Sequence, residues 1–290
     1  MRMKPFLITT LTLSIFIMTS CAQDKDDYVV TIHTDFGDMV AILYDETPKH
    51  KENFIKLAQQ HFYDSLLFHR VMAGFMIQGG DPNSKNATPG QPLGVGGPGY
   101  TIDAEIVPKY FHEKGALAAA RLSDTQNPKK ASSGSQFYIV QGTKIAEEEM
   151  KIDGNKFGQA MSKFFQNPAN QSLYDSIGKL YQSGDMKGYQ DLLMKLKPRV
   201  EAETGIKTDR DDVDPAMLKA YTTVGGTPSL DREYTVFGKV IKGLDVIDKI
   251  VAQATDQRNR PLQDIRMTVT VEKTTRKKIE KRYDYEFPDN

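Results

Sequence analysis

The sequence predicts a mainly β domain, a barrel or a sandwich, interrupted by an α-helical insertion. Three observations predict it. Short apolar or aromatic runs at Leu66 to Phe68, Gly74 to Ile77, Gly115 to Ala120 and Gln136 to Val140 are separated by stretches rich in Gly, Pro, Asn and Ser, the pattern of many short strands with few helices. Between Lys144 and Tyr221 the apolar residues recur instead at three and four. After Gly225-Gly226-Thr227-Pro228 the strand-like pattern returns with Tyr234 to Phe237.

Arg2 and Lys4 precede a mostly apolar run from Phe6 to Met18, followed by Thr19, Ser20 and Cys21. This is the order of a signal peptide, and the run is shorter than the roughly 17–25 residues that span a bilayer core. Residues 1–20 are therefore set apart from the fold as a leader. Met18-Thr19-Ser20-Cys21 is similar to a bacterial lipobox, with Met18 in place of the usual Leu, which implies lipidation of Cys21, the only cysteine in the chain. Residues 21–27 then read as a solvated tether. One cysteine excludes an intramolecular disulfide and a cysteine-based zinc site.

Val30 and Ile32, the turn Asp35 to Asp38 and the run Met39 to Tyr44 read as an opening β-hairpin. Thr47 before Pro48 marks an N-cap, with Phe54, Leu57, Ala58 and His61 following at helical spacing. The insertion, residues 144–220, carries three stripes: Phe157/Met161/Phe164/Phe165, Leu173/Ile177/Leu180/Tyr181 and Tyr189/Leu192/Leu193/Leu196. They predict three helices broken near Asn167-Pro168, Ser183-Gly184 and Lys197-Pro198. A short helix fits Leu244 to Ala252 and a last strand Ile265 to Val271, leaving residues 273–290 as a charged, solvated tail. The β domain thus comprises residues 28–143 and 221–272.

The 38 basic and 38 acidic residues cancel, so no global field draws the chain to nucleic acid. The loop Gly94 to Gly99 lacks the Lys-Ser/Thr of a phosphate loop. Asp209, Asp211, Asp212 and Asp214 lack the Gly and Glu of a calcium loop, and read as a helix-capping loop. Histidines 33, 50, 61, 69 and 112 show no metal-binding spacing. Ser133 and Ser135 lack a nucleophile elbow.

By residue chemistry alone, Phe68 to Asp81 reads either as a core strand with a snorkelling arginine or as a site. The motifs Phe68-His69-Arg70, Gly74 to Asp81 and Ser133 to Ile139 resemble the signature of the cyclophilin peptidyl-prolyl cis-trans isomerases. Gly97 to Tyr100, Gly115 to Ala119 and Val236 to Val240 extend the likeness in family order. The resemblance implies a closed eight-stranded antiparallel barrel capped by two helices, with the site on its outer face. It implies that Arg70 is the catalytic donor to the prolyl nitrogen, and that Phe75, Met76 and Leu230 wall an apolar pocket for the proline ring. It further implies that Gln78 contacts the substrate backbone, that Ala120 and Arg121 hold the preceding residue, and that Gln136 lines the groove. Tyr138 stands where many members have phenylalanine, adding a hydroxyl beside the pocket, and Tyr234 and Ser229 where histidine and tryptophan are common. His69 is expected as a hydrogen-bonded support.

The chemistry so implied needs no cofactor and no metal. The partners implied are proline-containing segments of exported proteins and a membrane, reached through the anchor at Cys21; nucleic acid is not among them, and the chain is expected to act as a monomer outside the cytoplasm. Two alternatives stay open. The chain is an isomerase, or a weakly catalytic proline-binding scaffold whose insertion supplies the partner surface; and the insertion either gates the groove or only decorates the surface.

Overall fold

The computed structural model describes residues 24–210 and 213–287; the leader, Cys21, Asp211 and Asp212 lie outside the described residues. The predicted hairpin forms from β1 (Asp26–Thr34) and β2 (Gly37–Leu43), joined by Asp35 and Phe36. Strand alternation sends Val30, Ile32, Met39, Ala41 and Leu43 into the central core, and Val29, Val40 and Ile42 to the opposite face.

Helix α1 (Pro48–Gln59) buries Phe54, Ile55, Leu57 and Ala58 against that core. Thr47 sits at its N-cap position but does not cap it; its hydroxyl donates to the Tyr44 carbonyl. The carboxylate of Glu105 takes the role from 55 residues away, accepting from the backbone N–H groups of Lys49 and His50, both at 3.1 Å. A negative charge on free N–H groups at a helix N-terminus is a stabilising arrangement.

The remaining strands are β3 (Leu66–Leu67), β4 (Arg70–Met72), β5 (Met76–Gly79), β6 (Thr101–Ile102), β7 (Ala116–Ala119), β8 (Ser132–Ser133), β9 (Phe137–Val140), β10 (Val236–Lys242) and β11 (Arg266–Thr275). Nine of the eleven strands, where eight were expected, form one antiparallel sheet in the order β3-β11-β1-β2-β10-β7-β9-β5-β4, with β6 and β8 as a separate ribbon. The two ends of that order, β3 and β4, are separated in the chain only by Phe68 and His69. The sheet therefore curls into a half-barrel whose edges are carried by one stretch of chain, and among the described residues no ladder closes it into the expected barrel. Helices α1 and, later in the chain, Leu244–Val251 cover the core, the latter through Val246, Ile247 and Ile250.

Between β9 and β10 lie α2 (Glu147–Met150), α3 (Gly154–Phe164), α4 (Gln171–Ser183), α5 (Met186–Thr204) and α6 (Pro215–Thr223), more helices than the three predicted. Ala160, Phe164, Leu196 and Val200 form a separate small core there. The breaks at Asn167-Pro168 and Gly184 occur as predicted, Gly184 with φ +75°. The break at Pro198 does not: α5 runs through it. Leu192, Leu196 and Val200 keep one helical face packed across the proline, and that tertiary packing outweighs the single backbone hydrogen bond it removes.

With the helix after β10 as α7, the last element is α8 (Arg276–Tyr283). The tail expected to be solvated instead extends β11 and then packs back on the outer face of β1 and β2, burying Ile279 with Tyr283, Tyr285 and Phe287 around it. Arg276 anchors the turn by donating from Nε and Nη2 to the buried carboxylate of Asp27, both at 3.0 Å. The outward apolar row Val29, Val40 and Ile42 is what this segment covers.

Candidate active site

The site grows from strand register. Arg70 of β4 pairs with Gln78 of β5, Gln78 with Tyr138 of β9, Tyr138 with Ala118 of β7, and Ala118 with Val236 of β10. Side chains directly opposite across a sheet share a face. This row, with Met72, Met76 and Val140, therefore lies on the convex face, while Val71, Ile77, Ile139 and Leu117 point into the core. The sheet thereby presents a band of polar and aromatic groups to the outside.

On that band is a pocket of about 100 Å³, room for a small ring and not for a long side chain. It is lined by every expected site residue except one: Arg70, Phe75, Met76, Gln78, Ala120, Arg121, Tyr138, Leu230 and Tyr234. Gln136 stands one step back. Its amide carbonyl accepts from Gln78 Nε2 at 3.1 Å and its own Nε2 donates to the Gly96 carbonyl at 2.7 Å. Gln78 in turn accepts from Arg70 Nη1 at 3.2 Å.

Arg70 is the unusual member. Its guanidinium lies 5.8 Å from the centre of the Phe75 ring, and among the described residues no carboxylate pairs with it. Partial burial pulls its pKa down from the usual arginine value, a cost of holding an unneutralised charge at an apolar wall. Arg121, by contrast, is committed: it donates to the Glu233 carbonyl, the Glu233 carboxylate and Asp124, and its guanidinium stacks 4.4 Å from the centre of Tyr234. It builds the rim by fixing Tyr234.

The Gly94 to Gly99 loop beside the pocket is held by Asp81. This fully buried carboxylate accepts from the N–H groups of Asn83 (2.8 Å), Gly94 (2.5 Å) and Gly96 (3.3 Å). Its preceding residue, Gly80, has φ +87° and a Cβ there would meet the Ser135 carbonyl at 2.2 Å, so the close crossing of β5 and β9 requires glycine. His69, expected as a hydrogen-bonded support, is buried beside Asp81 and the Leu67 backbone. Burial pushes its pKa down to about 4, against the pull of Asp81 and of a backbone hydrogen bond with Leu67. It packs as a neutral ring under Gly94.

Two clusters escaped the sequence reading. Tyr138's hydroxyl meets His112 Nε2 at 2.9 Å, so a buried partner holds the ring that lines the pocket. His50 places Nε2 2.9 Å from Ser132 Oγ and Nδ1 2.7 Å from Glu105, the spacing of a hydrolytic triad. Ser132 is 1% exposed, so no substrate carbonyl reaches it. Burial pushes His50 down despite Glu105, and the trio serves to tie α1 to β8. The partners in both clusters are far apart in sequence, with no local spacing to signal them.

A family model described as "Cyclophilin type peptidyl-prolyl cis-trans isomerase/CLD" matches residues 29–165 and 207–272. Among relatives, the "Putative bifunctional phosphatase/peptidyl-prolyl cis-trans isomerase" of Streptococcus pyogenes is 28% identical over 242 residues, 81% of this chain; the chain spans only 37% of that protein's length. The "Putative peptidyl-prolyl cis-trans isomerase" of Staphylococcus saprophyticus is 29% identical over 238 residues, 81% of this chain and 86% of that protein. A crystal structure of a protein from Cryptosporidium parvum of the same described type, in the presence of the dipeptide Ala-Pro, is 20% identical with a TM-score of 0.47, covering 84% of this chain and 98% of that one.

Proposed function

The chain belongs to the cyclophilin-type peptidyl-prolyl cis-trans isomerase family, and from that premise we propose that it accelerates rotation about X-Pro bonds without a covalent intermediate. The barrier, about 20 kcal/mol, comes from amide resonance. Twisting the bond localises a lone pair on the prolyl nitrogen. A donor that meets the twisted state more strongly than the planar one lowers the barrier by that difference alone.

The observation that carries this reading is Arg70: a guanidinium at the mouth of a ring-sized pocket, with no counter-ion among the described residues and one arm steadied by neutral Gln78. Its remaining donors are free to turn to a substrate. Phe75, Met76 and Leu230 seat the proline ring, Gln78 meets the substrate backbone, and Ala120 with Arg121 borders the preceding residue. The test is two-dimensional NMR exchange on an X-Pro peptide, with the chain from residue 22 compared with Arg70→Ala. Accelerated exchange that the variant loses supports the reading. Peptide-induced shifts with no acceleration refute it in favour of the scaffold, for which the exposed Tyr174, Tyr181 and Met186 of the insertion offer a surface.

The lipobox-like Met18 to Cys21 supports a lipid anchor and action on exported proteins. Among the described residues no helix is long and apolar enough to cross a membrane. Cys21→Ser is expected to move the protein from the membrane fraction to the soluble one.

A further inference from the structure

The pocket wall and α6, the helix through which the insertion rejoins the β domain, are joined by four side chains. At one end Tyr138 lines the pocket, its ring set edge-on to Tyr234 with centres 5.9 Å apart. Its hydroxyl meets His112 Nε2 at 2.9 Å, and His112 Nδ1 meets Asp231 Oδ1 at 3.0 Å. At the other end Tyr221, on α6 at the junction of the insertion with the β domain, donates its hydroxyl to both oxygens of Asp231 at 2.7 Å. Asp231 also accepts from the His112 backbone N–H at 2.8 Å. Tyr221 and His112 are wholly buried.

The direction of these bonds is constrained. A carboxylate only accepts, so His112 Nδ1 carries a proton and donates to Asp231, and a ring with that single proton accepts from the Tyr138 hydroxyl at Nε2. Asp231 follows Leu230 and belongs to the Pro228-to-Tyr234 segment, which supplies two walls of the pocket. One carboxylate therefore fixes both the strand wall, through His112, and the loop wall directly.

The backbone around the link leaves no slack. Gly226 pairs with both Glu113 and Thr143, the Thr227 N–H donates to the His112 carbonyl at 2.9 Å, and the Ile145 N–H to the Tyr221 carbonyl at 3.1 Å. A Cβ on Gly226 would meet the His112 carbonyl at 2.3 Å and the Tyr221 ring at 2.6 Å. Entry and exit of the insertion are thus pinned to the segment carrying His112.

We infer that Tyr221, on α6 where the insertion rejoins the β domain, is a positioning residue for X-Pro isomerisation, setting the shape of the proline pocket through Asp231, His112 and Tyr138. The inference rests on the isomerase reading above and gives the junction between the insertion and the β domain a role in substrate fit. A pocket held by a continuous chain of hydrogen bonds is preorganised for one ring size, and loosening the remote end relaxes the wall.

A double-mutant cycle on the full mature chain tests it, with kcat/KM for an X-Pro peptide as the readout. Y221F keeps the buried ring and removes only the hydroxyl; its expected effect is a loss of about fivefold or more. In the Y138F background, where the pocket end is already cut, Y221F is expected to change nothing further. Equal losses in both backgrounds, or none in either, overturn the inference. D231N, which keeps the shape while disturbing the acceptor, is expected to reproduce the Y221F loss. Long-range 1H–15N spectra of the His112 ring give a readout independent of turnover: the Nδ1–H tautomer in the parent protein, and ring signals of Tyr138 that move in Y221F. A parent protein that shows this tautomer and coupled shifts but no acceleration defeats the isomerase reading while leaving the link intact; absence of the tautomer defeats the link.

Discussion

Replacing Arg70 by lysine keeps the charge and removes the fork. In the structure one guanidinium nitrogen is spent on Gln78 at 3.2 Å and the plane lies 5.8 Å from the centre of Phe75, which leaves the other nitrogens directed by that attachment. A lysine ammonium, with its three donors on a flexible stem, can hold Gln78 or meet the prolyl nitrogen, with no rigid plane to do both. Losing one preorganised donor at a site of developing electron density costs about 100-fold to 1,000-fold, or about 2.7–4 kcal/mol. Arg70→Lys should therefore lower kcat/KM about 100-fold in an NMR exchange assay, and Arg70→Met at least as much. Stability should move the other way: because the guanidinium is partly buried with no ion-pair partner among the described residues, Arg70→Met should hold or raise Tm. An Arg70→Lys protein within threefold of the parent, or an Arg70→Met protein with a clearly lower Tm, would refute the argument that an unpaired, fixed guanidinium is the working group.

Ser132→Ala removes a hydroxyl on His50 behind the site and should cost about 1 kcal/mol in urea unfolding with kcat/KM unchanged, separating the triad-like trio from turnover. Asp81→Asn sets an amide NH2 against N–H donors of Asn83, Gly94 and Gly96; a loss of about 2–3 kcal/mol in urea unfolding is expected. Isomerisation should weaken with it, since Gln136 is moored to the Gly96 carbonyl. Acid should loosen the insertion. Burial works to raise Glu201, but the hydroxyl and N–H of Thr208 and the ammonium of Lys197 outweigh it and hold the carboxyl at about 2, below its ordinary 4.5. A depressed carboxyl stabilises the fold above its unfolded pKa, so this contribution is lost as pH falls from about 4.5 toward 2. Near-UV circular dichroism of the insertion's tyrosines should follow that window in the parent protein and not in Glu201→Gln.

What was legible in the sequence was what alternation and local motifs encode. Arg70, Met76, Gln78 and Tyr138 come to one face because strand side chains alternate, and the strands carrying them are short and strongly punctuated by glycine. What was not legible depends on partners supplied by the finished fold. Thr47 had the residue type of a cap, yet Glu105 outcompetes it by bringing a full charge to two N–H groups. Pro198 had the residue type of a break, yet the face formed by Leu192, Leu196 and Val200 carries the helix through. The tail had the composition of a solvated segment, yet Ile279, Tyr285 and Phe287 meet an apolar row on β1 and β2 that alternation had turned outward. His112 and Asp231 are 119 residues apart, and no local pattern links them.

The pairing of β1 with β11, which sets Asp26 beside Thr275, has a consequence for the order in which the molecule is made. The earliest strand of the domain waits for nearly the whole chain before its second neighbour exists. Until then the edge of β1 offers unpaired N–H and C=O groups, and the outward row Val29, Val40 and Ile42 stays open to water or to other chains. Contacts of such sequence separation form slowly. A nascent or C-terminally clipped chain thus carries a sticky edge that the full-length molecule conceals, so loss of the final two dozen residues should register first as aggregation and only later as lost turnover.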